Sequence, residues 1–225
     1  MVEPVSANVL AALRMLSTPT VANAIEVSGT RSRSEGFMTP EVRCILPELG
    51  TMVGYACTAK IRALCRPAAG EAVARREMWD HILSIPAPRV VVIQDLDDPP
   101  VGAFWGEVQG NIHRALGCVG TVTNGGVRDL DEVSDLGFHF FAGDVHVSHA
   151  YVHVVEVGTP VEVGGLTVRP GDLLHGDRHG VIDIPHELAA GLYDAAKQVE
   201  ARERRIIELC QGAEFSLDRL AELYG

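Results

Sequence analysis

The stretch from Arg89 to Asp129 limits what this chain can fold into more than any other. Arg89 to Leu96 is a short apolar, β-branched run, and Asp97-Asp98-Pro99-Pro100 reads as a turn. Trp105 to Leu116 carries helical spacing, Gly117 stops it, and Cys118 to Thr123 is a second apolar run closed by Asn124-Gly125-Gly126. Two buried strands joined through a helix are a β-α-β unit, because parallel neighbours need a crossover of roughly a dozen residues or more. Such units build α/β folds with a mainly parallel sheet.

The flanks agree with that class. Val9, Leu10, Leu13 and Leu16 form a helical stripe, and Ser17-Thr18-Pro19 supplies a cap and a proline for a second helix start. Thr51 to Ala63 reads as a strand and Val73 to Leu83 as a helix. Phe138 to Ala142, Val145 to Val157, Val161 to Val168 and Val181 to Ile184 read as further strands, with a hairpin turn at Gly164-Gly165. Leu188, Leu192, Ala195, Val199 and Ile206 predict one amphipathic C-terminal helix over about 186–210. With 225 residues, 47% of them hydrophobic and 22% charged, the expectation is a single domain over 1–225 without repeat or linker.

Composition removes several function classes. No run of about 18 apolar residues occurs, and the N-terminus lacks the basic start and cleavage site of a secretory signal, so a cytoplasmic protein without membrane contact is expected. Cys44, Cys57, Cys65, Cys118 and Cys210 are odd in number and widely spaced, which predicts reduced, mostly buried thiols. A net charge of −11 with no basic cluster argues against a nucleic-acid partner. That charge also repels a small anionic substrate at long range, so a local cation and a metal ion would have to attract one.

Two segments answer that requirement. Gly106-Glu107-Val108-Gln109 opens the helix of the β-α-β unit, and Gly125-Gly126-Val127-Arg128-Asp129 follows its second strand. A right-handed crossover returns both to one edge of the sheet, the edge where α/β sheets bind ligands. Free N–H groups at Val108 and Gln109 and the helix dipole suit a carboxylate or an enolate oxygen. Arg128 adds a bidentate cation, Asp129 and Glu107 are hard oxygen ligands for Mg2+ or Mn2+, and the glycines allow close backbone approach. Singly, each has a plainer reading: a first-turn acid, an exposed ion pair, turn residues. Their convergence on one edge is what points to a site.

These residues carry a resemblance. GEVQGNIHRALGCVGTVTNGGVRDLDEV is similar to the signature of the RraA-like family and its 4-hydroxy-4-methyl-2-oxoglutarate / 4-carboxy-4-hydroxy-2-oxoadipate aldolases. The likeness extends to Thr18-Pro19-Thr20 with Ala24, to Pro160-Val161, and to PGDLLHGDRHGV at Pro170 to Val181. It implies a layered α/β fold of the swivelling β/β/α type, assembled as homotrimers or hexamers with the cleft between subunits. It also implies that Asp129 ligates a divalent metal, that Arg128 binds substrate oxygen, and that Gly106, Glu107, Val108 and Gln109 hold the pyruvyl end through backbone amides. Glu107 would hold or deprotonate a water on the metal; the family's aldolases carry aspartate there, and its ribonuclease-regulating branch carries no acid. An acid from a neighbouring C-terminal helix, Glu200 or Glu203, would complete the site.

The reaction so implied is a metal-dependent retro-aldol cleavage of a 4-hydroxy-2-oxo dicarboxylic or tricarboxylic acid, such as 4-hydroxy-4-methyl-2-oxoglutarate, that releases pyruvate, with oxaloacetate decarboxylation through the same enolate. The alternative, a lysine Schiff base, has only Lys60 and Lys197 to draw on, and neither is near the candidate edge in sequence. A histidine metal site from His146, His149, His153, His175, Asp177 and His179 is a second reading, weakened because strand alternation opposes His146 to His149 and His153. A third is a non-enzymatic regulator of a ribonuclease. Arg31, Arg33 and Arg43 are candidates to read the distal end of a substrate.

Overall fold

The computed structural model describes residues 3–224. Helices α1 (Ala7–Leu13) and α2 (Thr18–Ser28) open the chain; Ser17 caps α2 by accepting the Thr20 N–H, and proline sits in its first turn as expected. Strands β1 (Arg43–Cys44) and β2 (Met52–Arg62), helix α3 (Arg75–Ser84) and strand β3 (Arg89–Asp95) follow. Next come β4 (Ala103–Trp105), α4 (Glu107–Ala115), β5 (Cys118–Thr123), β6 (Gly126–Val127), α5 (Leu130–Leu136), β7 (His139–Ala142) and β8 (Asp144–Val145). The rest is β9 (His153–Val157), β10 (Val161–Val163), β11 (Leu166–Val168), β12 (Leu173–Asp177), β13 (Gly180–Ile184), α6 (His186–Ala189), α7 (Leu192–Gln211) and α8 (Leu217–Tyr224).

The main sheet runs β1-β7-β5-β3-β2-β12-β13, with β9 also paired to β2. Its centre is parallel, β2 to β3, β3 to β5 and β5 to β7, so the expected β-α-β unit stands in its middle. Alternation along the strands divides the core. Cys57, Ala59 and Ile61 of β2 and Val91 and Ile93 of β3 pack with α3, Trp105 and Phe138 on one face. Ala56, Val90 and Val92 pack on the other face against the β10–β11 hairpin. Helix, sheet and hairpin are thus three layers of a mixed α/β protein, and α1, α2 and α7 close a third cluster on Val53, Tyr55 and Leu173.

Several expectations are corrected. Val145 to Val157 is two strands, β8 and β9, because residues 146–152 leave the sheet. Trp105 ends a strand and the helix begins at Glu107. The expected hairpin at 161–168 is present, and its Gly164 and Gly165 both have positive φ (55° and 73°), as a two-residue turn of this hand requires. Strand β12 went unpredicted, since its five buried residues include His175 and Asp177, which mask an apolar run. The C-terminal helix is broken at Ala190-Gly191 into α6 and α7, and α7 buries only Leu192 and Ala196. Of the cysteines, Cys57 and Cys118 are buried, while Cys65 and Cys210 are exposed. Among the described residues no helix is long and apolar enough to cross a membrane.

Candidate active site

A second, three-stranded parallel sheet, β4-β6-β8, continues beyond the carboxyl ends of β5 and β7 and positions the site. The Arg128 N–H donates to the Trp105 carbonyl at 3.0 Å, which ties the exit of β6 to the entry of α4. Gly106, the residue before α4, has extended backbone (φ −171°) and no side chain to cap the helix. Asp129 caps it from across the gap: Oδ2 accepts the Glu107 N–H at 3.0 Å. A Cβ at position 106 would overlap that oxygen and stand 3.1 Å from Arg128 Cγ, so glycine here answers a close approach. Asp129 itself adopts a left-handed conformation (φ 56°, ψ 51°), unusual off glycine and tolerated best by Asp and Asn.

Arg128 Nε lies 3.7 Å from Asp129 Oδ2, with the two side chains 37% and 36% exposed. A pair so solvated stabilises by well under ~1 kcal/mol; its consequence is placement, a cation and a carboxylate side by side at the mouth of a cavity. Val108 and Gln109 occupy the second and third helical positions, where no intrahelical acceptor exists; the first such bond is Gly110 N–H to Gly106 O at 2.9 Å. Helix α4 is seated by His113, whose Nδ1 donates to the Gln109 carbonyl at 2.7 Å and whose ring meets Trp105 at 4.6 Å. Burial pushes the pKa of this imidazole down to about 4, so it is neutral at physiological pH.

The cavity measures about 480 Å³ and is lined on this side by Gly106, Val108, Gln109, Arg128 and Asp129. The two predicted segments therefore do meet at one edge. Glu107 is exposed beside the cavity without lining it. Gly125 and Gly126 serve the scaffold: a Cβ on Gly125 would come within 3.0 Å of Asp95 Oδ2, and Gly126 packs against the His146 ring. Asp129 is the one carboxylate among the described residues that lines the cavity. Its Oδ2 is shared with the Glu107 amide, and no described residue hydrogen-bonds Oδ1. That half-exposed hard oxygen fits a Mg2+ or Mn2+ site in which water and substrate fill most of the coordination sphere. No group of three or more His, Cys, Asp or Glu side chains among the described residues is arranged to hold a metal.

Other candidates lie elsewhere. His175 is a core residue whose ring nitrogens contact Thr18 Oγ1 and the Leu13 carbonyl, both at 3.1 Å, and His179 pairs with Asp177 at 3.0 Å. His146 faces a second cavity of about 640 Å³, whereas His149 and His153 line the first. Arg31 is bound to Asp183 at 2.5 Å, Arg33 stands 3.4 Å from Glu26, and Arg43 donates to the Gly143 carbonyl at 2.9 Å, so none lines the Asp129 cavity. Lys60 pairs with Glu156 and Lys197 with Glu200, each at 2.7 Å, and Glu203 accepts from Asn23 on α2. The sequence reading missed Arg75, Met78, Trp79 and Phe104, which also line the cavity. Their spacing carries no signal, because α3 and β4 meet there only through tertiary packing.

A mixed sheet with a cavity beside its parallel carboxyl edge defines an α/β protein with a candidate site there. The chain belongs to the Aldolase/RraA family, whose model matches residues 18–182. A relative from Halalkalibacterium halodurans, named "Putative 4-hydroxy-4-methyl-2-oxoglutarate aldolase", is 28% identical over 139 residues. That match spans 60% of this chain and 66% of the relative, just under two thirds of its length. An uncharacterised Pseudomonas syringae structure superposes with TM-score 0.75 at 26% identity, covering 98% and 95% of the two chains. Streptomyces coelicolor RraAS2, described as an unusual member of an RNase ES inhibitor family, shares the fold with TM-score 0.70 at 21% identity over 91% and 98%.

Proposed function

We propose that the protein is a lyase that cleaves the C3–C4 bond of a small 4-hydroxy-2-oxo acid and releases pyruvate. The observation that carries this reading is the meeting of the Asp129 carboxylate, the Arg128 guanidinium and the open amides of α4 at one end of a single cavity. A divalent cation, Mg2+ or Mn2+, held by Asp129 would supply the Lewis acid that polarises the 2-oxo group and stabilises the enolate. Arg128 binds and orients the substrate carboxylate in a bidentate contact. The Val108 and Gln109 amides, backed by the helix dipole, donate to the oxygen on which charge develops. Glu107, at the rim, takes the C4 hydroxyl proton directly or through one water. The same end of the cavity suffices for oxaloacetate decarboxylation.

The partners of this reading are the 2-oxo acid and further copies of the chain, as a homotrimer or hexamer. Glu200 and Glu203 stand on α7 away from this chain's own cavity, so only a neighbouring copy could bring one to it. The test is pyruvate release, coupled to lactate dehydrogenase, from 4-hydroxy-4-methyl-2-oxoglutarate and from oxaloacetate, with Mg2+, Mn2+ or a chelator. Cation-dependent pyruvate from either supports the lyase. Silence from both, with inhibition of a ribonuclease by the same preparation, replaces it with the regulatory role suggested by the Streptomyces relative's description.

A further inference from the structure

The rest of the cavity lining has a different chemistry from Arg128 and Asp129. Trp79 and Met78 of α3, Phe104 of β4, and Val152 and Val154 at β9 present hydrocarbon to it. The Val73 N–H donates to the Val154 carbonyl at 2.8 Å, which fixes the segment leading into α3 against β9 and makes this wall part of the scaffold. Two histidines, His149 and His153, also line the cavity. His153 Nδ1 lies 2.8 Å from the Tyr151 carbonyl and His149 Nδ1 lies 2.8 Å from the Ala150 carbonyl. A carbonyl only accepts, so each ring carries a proton on Nδ1. His153 Nε2 is buried and has no hydrogen-bond partner among the described residues.

Apart from Arg128, Arg75 is the one Arg or Lys among the described residues that line the cavity, and it is exposed, so a second carboxylate would meet mainly apolar side chains. About 480 Å³ is also more room than a pyruvyl group occupies, and it falls in the range, ~300–1,000 Å³, of pockets that enclose ligands with a sizeable apolar body. We infer that the substrate carries at C4 a large apolar substituent, of aryl size, seated on Trp79 and Phe104. This rests on the reading of Arg128 and Asp129 as the pyruvyl end. The chemistry stays balanced and redox-neutral. The C3–C4 electron pair remains on C3, which takes up a proton, the C4 hydroxyl loses its proton, and the products are pyruvate and an apolar aldehyde or ketone.

The experiment compares two uncleavable 2-oxo acids by calorimetry on the Mn2+-loaded protein: 4-phenyl-2-oxobutanoate, which ends in a ring, and 2-oxoglutarate, which ends in a carboxylate. The phenyl compound binds at least tenfold more tightly. Trp79→Ala removes most of that preference and Trp79→Phe, which keeps a ring, restores it, so that loss of contact is separated from loss of fold. Equal or tighter binding of 2-oxoglutarate, or a preference untouched in Trp79→Ala, overturns the inference. Oxaloacetate decarboxylation by the unaltered protein separates the two levels of the argument. Decarboxylation without an aryl preference removes this proposal and leaves the lyase standing; no decarboxylation and no binding of either acid removes both.

Discussion

Replacing Gly106 by Ala tests the site through one added methyl group. The position has extended backbone, so alanine is not strained there by its φ. The new Cβ instead overlaps Asp129 Oδ2 and sits 3.1 Å from Arg128 Cγ. Ordinary contact requires the carboxylate to retreat by about 1 Å, and it has solvent to retreat into. The bond to the Glu107 amide is lost, costing about 1 kcal/mol at a half-exposed site, against a gain of ~0.4–1 kcal/mol from the stiffer unfolded chain. Stability therefore barely changes, within about 4 °C in Tm for a chain of this size. Activity does change, since a misplacement of about 1 Å lowers kcat/KM by roughly 100-fold, equivalent to about 2.7 kcal/mol of transition-state stabilisation. Pyruvate release from oxaloacetate with Mn2+, read beside a thermal melt, gives both numbers. A kcat/KM within threefold of the unaltered protein would refute the placement of Asp129 at the reacting end, and a Tm loss above about 10 °C would mark Gly106 as structural.

Asp129→Ala removes the one carboxylate that lines the cavity among the described residues and should lower cation-dependent pyruvate release by at least ~1,000-fold; substantial retained turnover sinks the assignment. Asp97 accepts the Ala63 and Leu64 N–H groups at 2.5 and 2.8 Å with its side chain 4% exposed, so Asp97→Ala costs about 3 kcal/mol and roughly 6–12 °C in Tm. A shift below 3 °C in differential scanning calorimetry would contradict that. Burial raises the Asp95 pKa from 3.8 to about 6, and its Oδ2 has no hydrogen-bond partner among the described residues. A raised carboxylate favours folding while protonated and loses that contribution as pH rises from about 4 through 6, a loss on the order of 3 kcal/mol. Asp95→Asn, neutral throughout, should gain on the unaltered protein between pH 5 and pH 8 in urea unfolding, and a difference independent of pH would refute the burial argument.

Much of the fold could be read from the chain because local rules and tertiary environment agreed. The run RVVVI at Arg89 to Ile93 is buried on both faces in β3, and Gly164-Gly165 had only one economical turn to make. Where they disagreed, reading failed. β12 escaped notice because His175 and Asp177 look polar, yet Thr18, Leu13 and the backbone of α2 satisfy them inside the core. Val145 to Val157 alternates like one strand, but residues 146–152 leave the sheet to line two cavities.

The site divides along the same line. That α4 begins beside the end of β6 was fixed by the sequence, since a β-α-β crossover returns both to one edge whatever the side chains do. Only the folded chain decided that the Asp129 carboxylate caps α4, that Arg128 stands 3.7 Å from it, and that Trp79 and Phe104 line the same cavity. Periodicity and turn chemistry act over a few residues and are written in the chain, whereas the walls of a cavity come from segments whose only relation is the packing that brings them together.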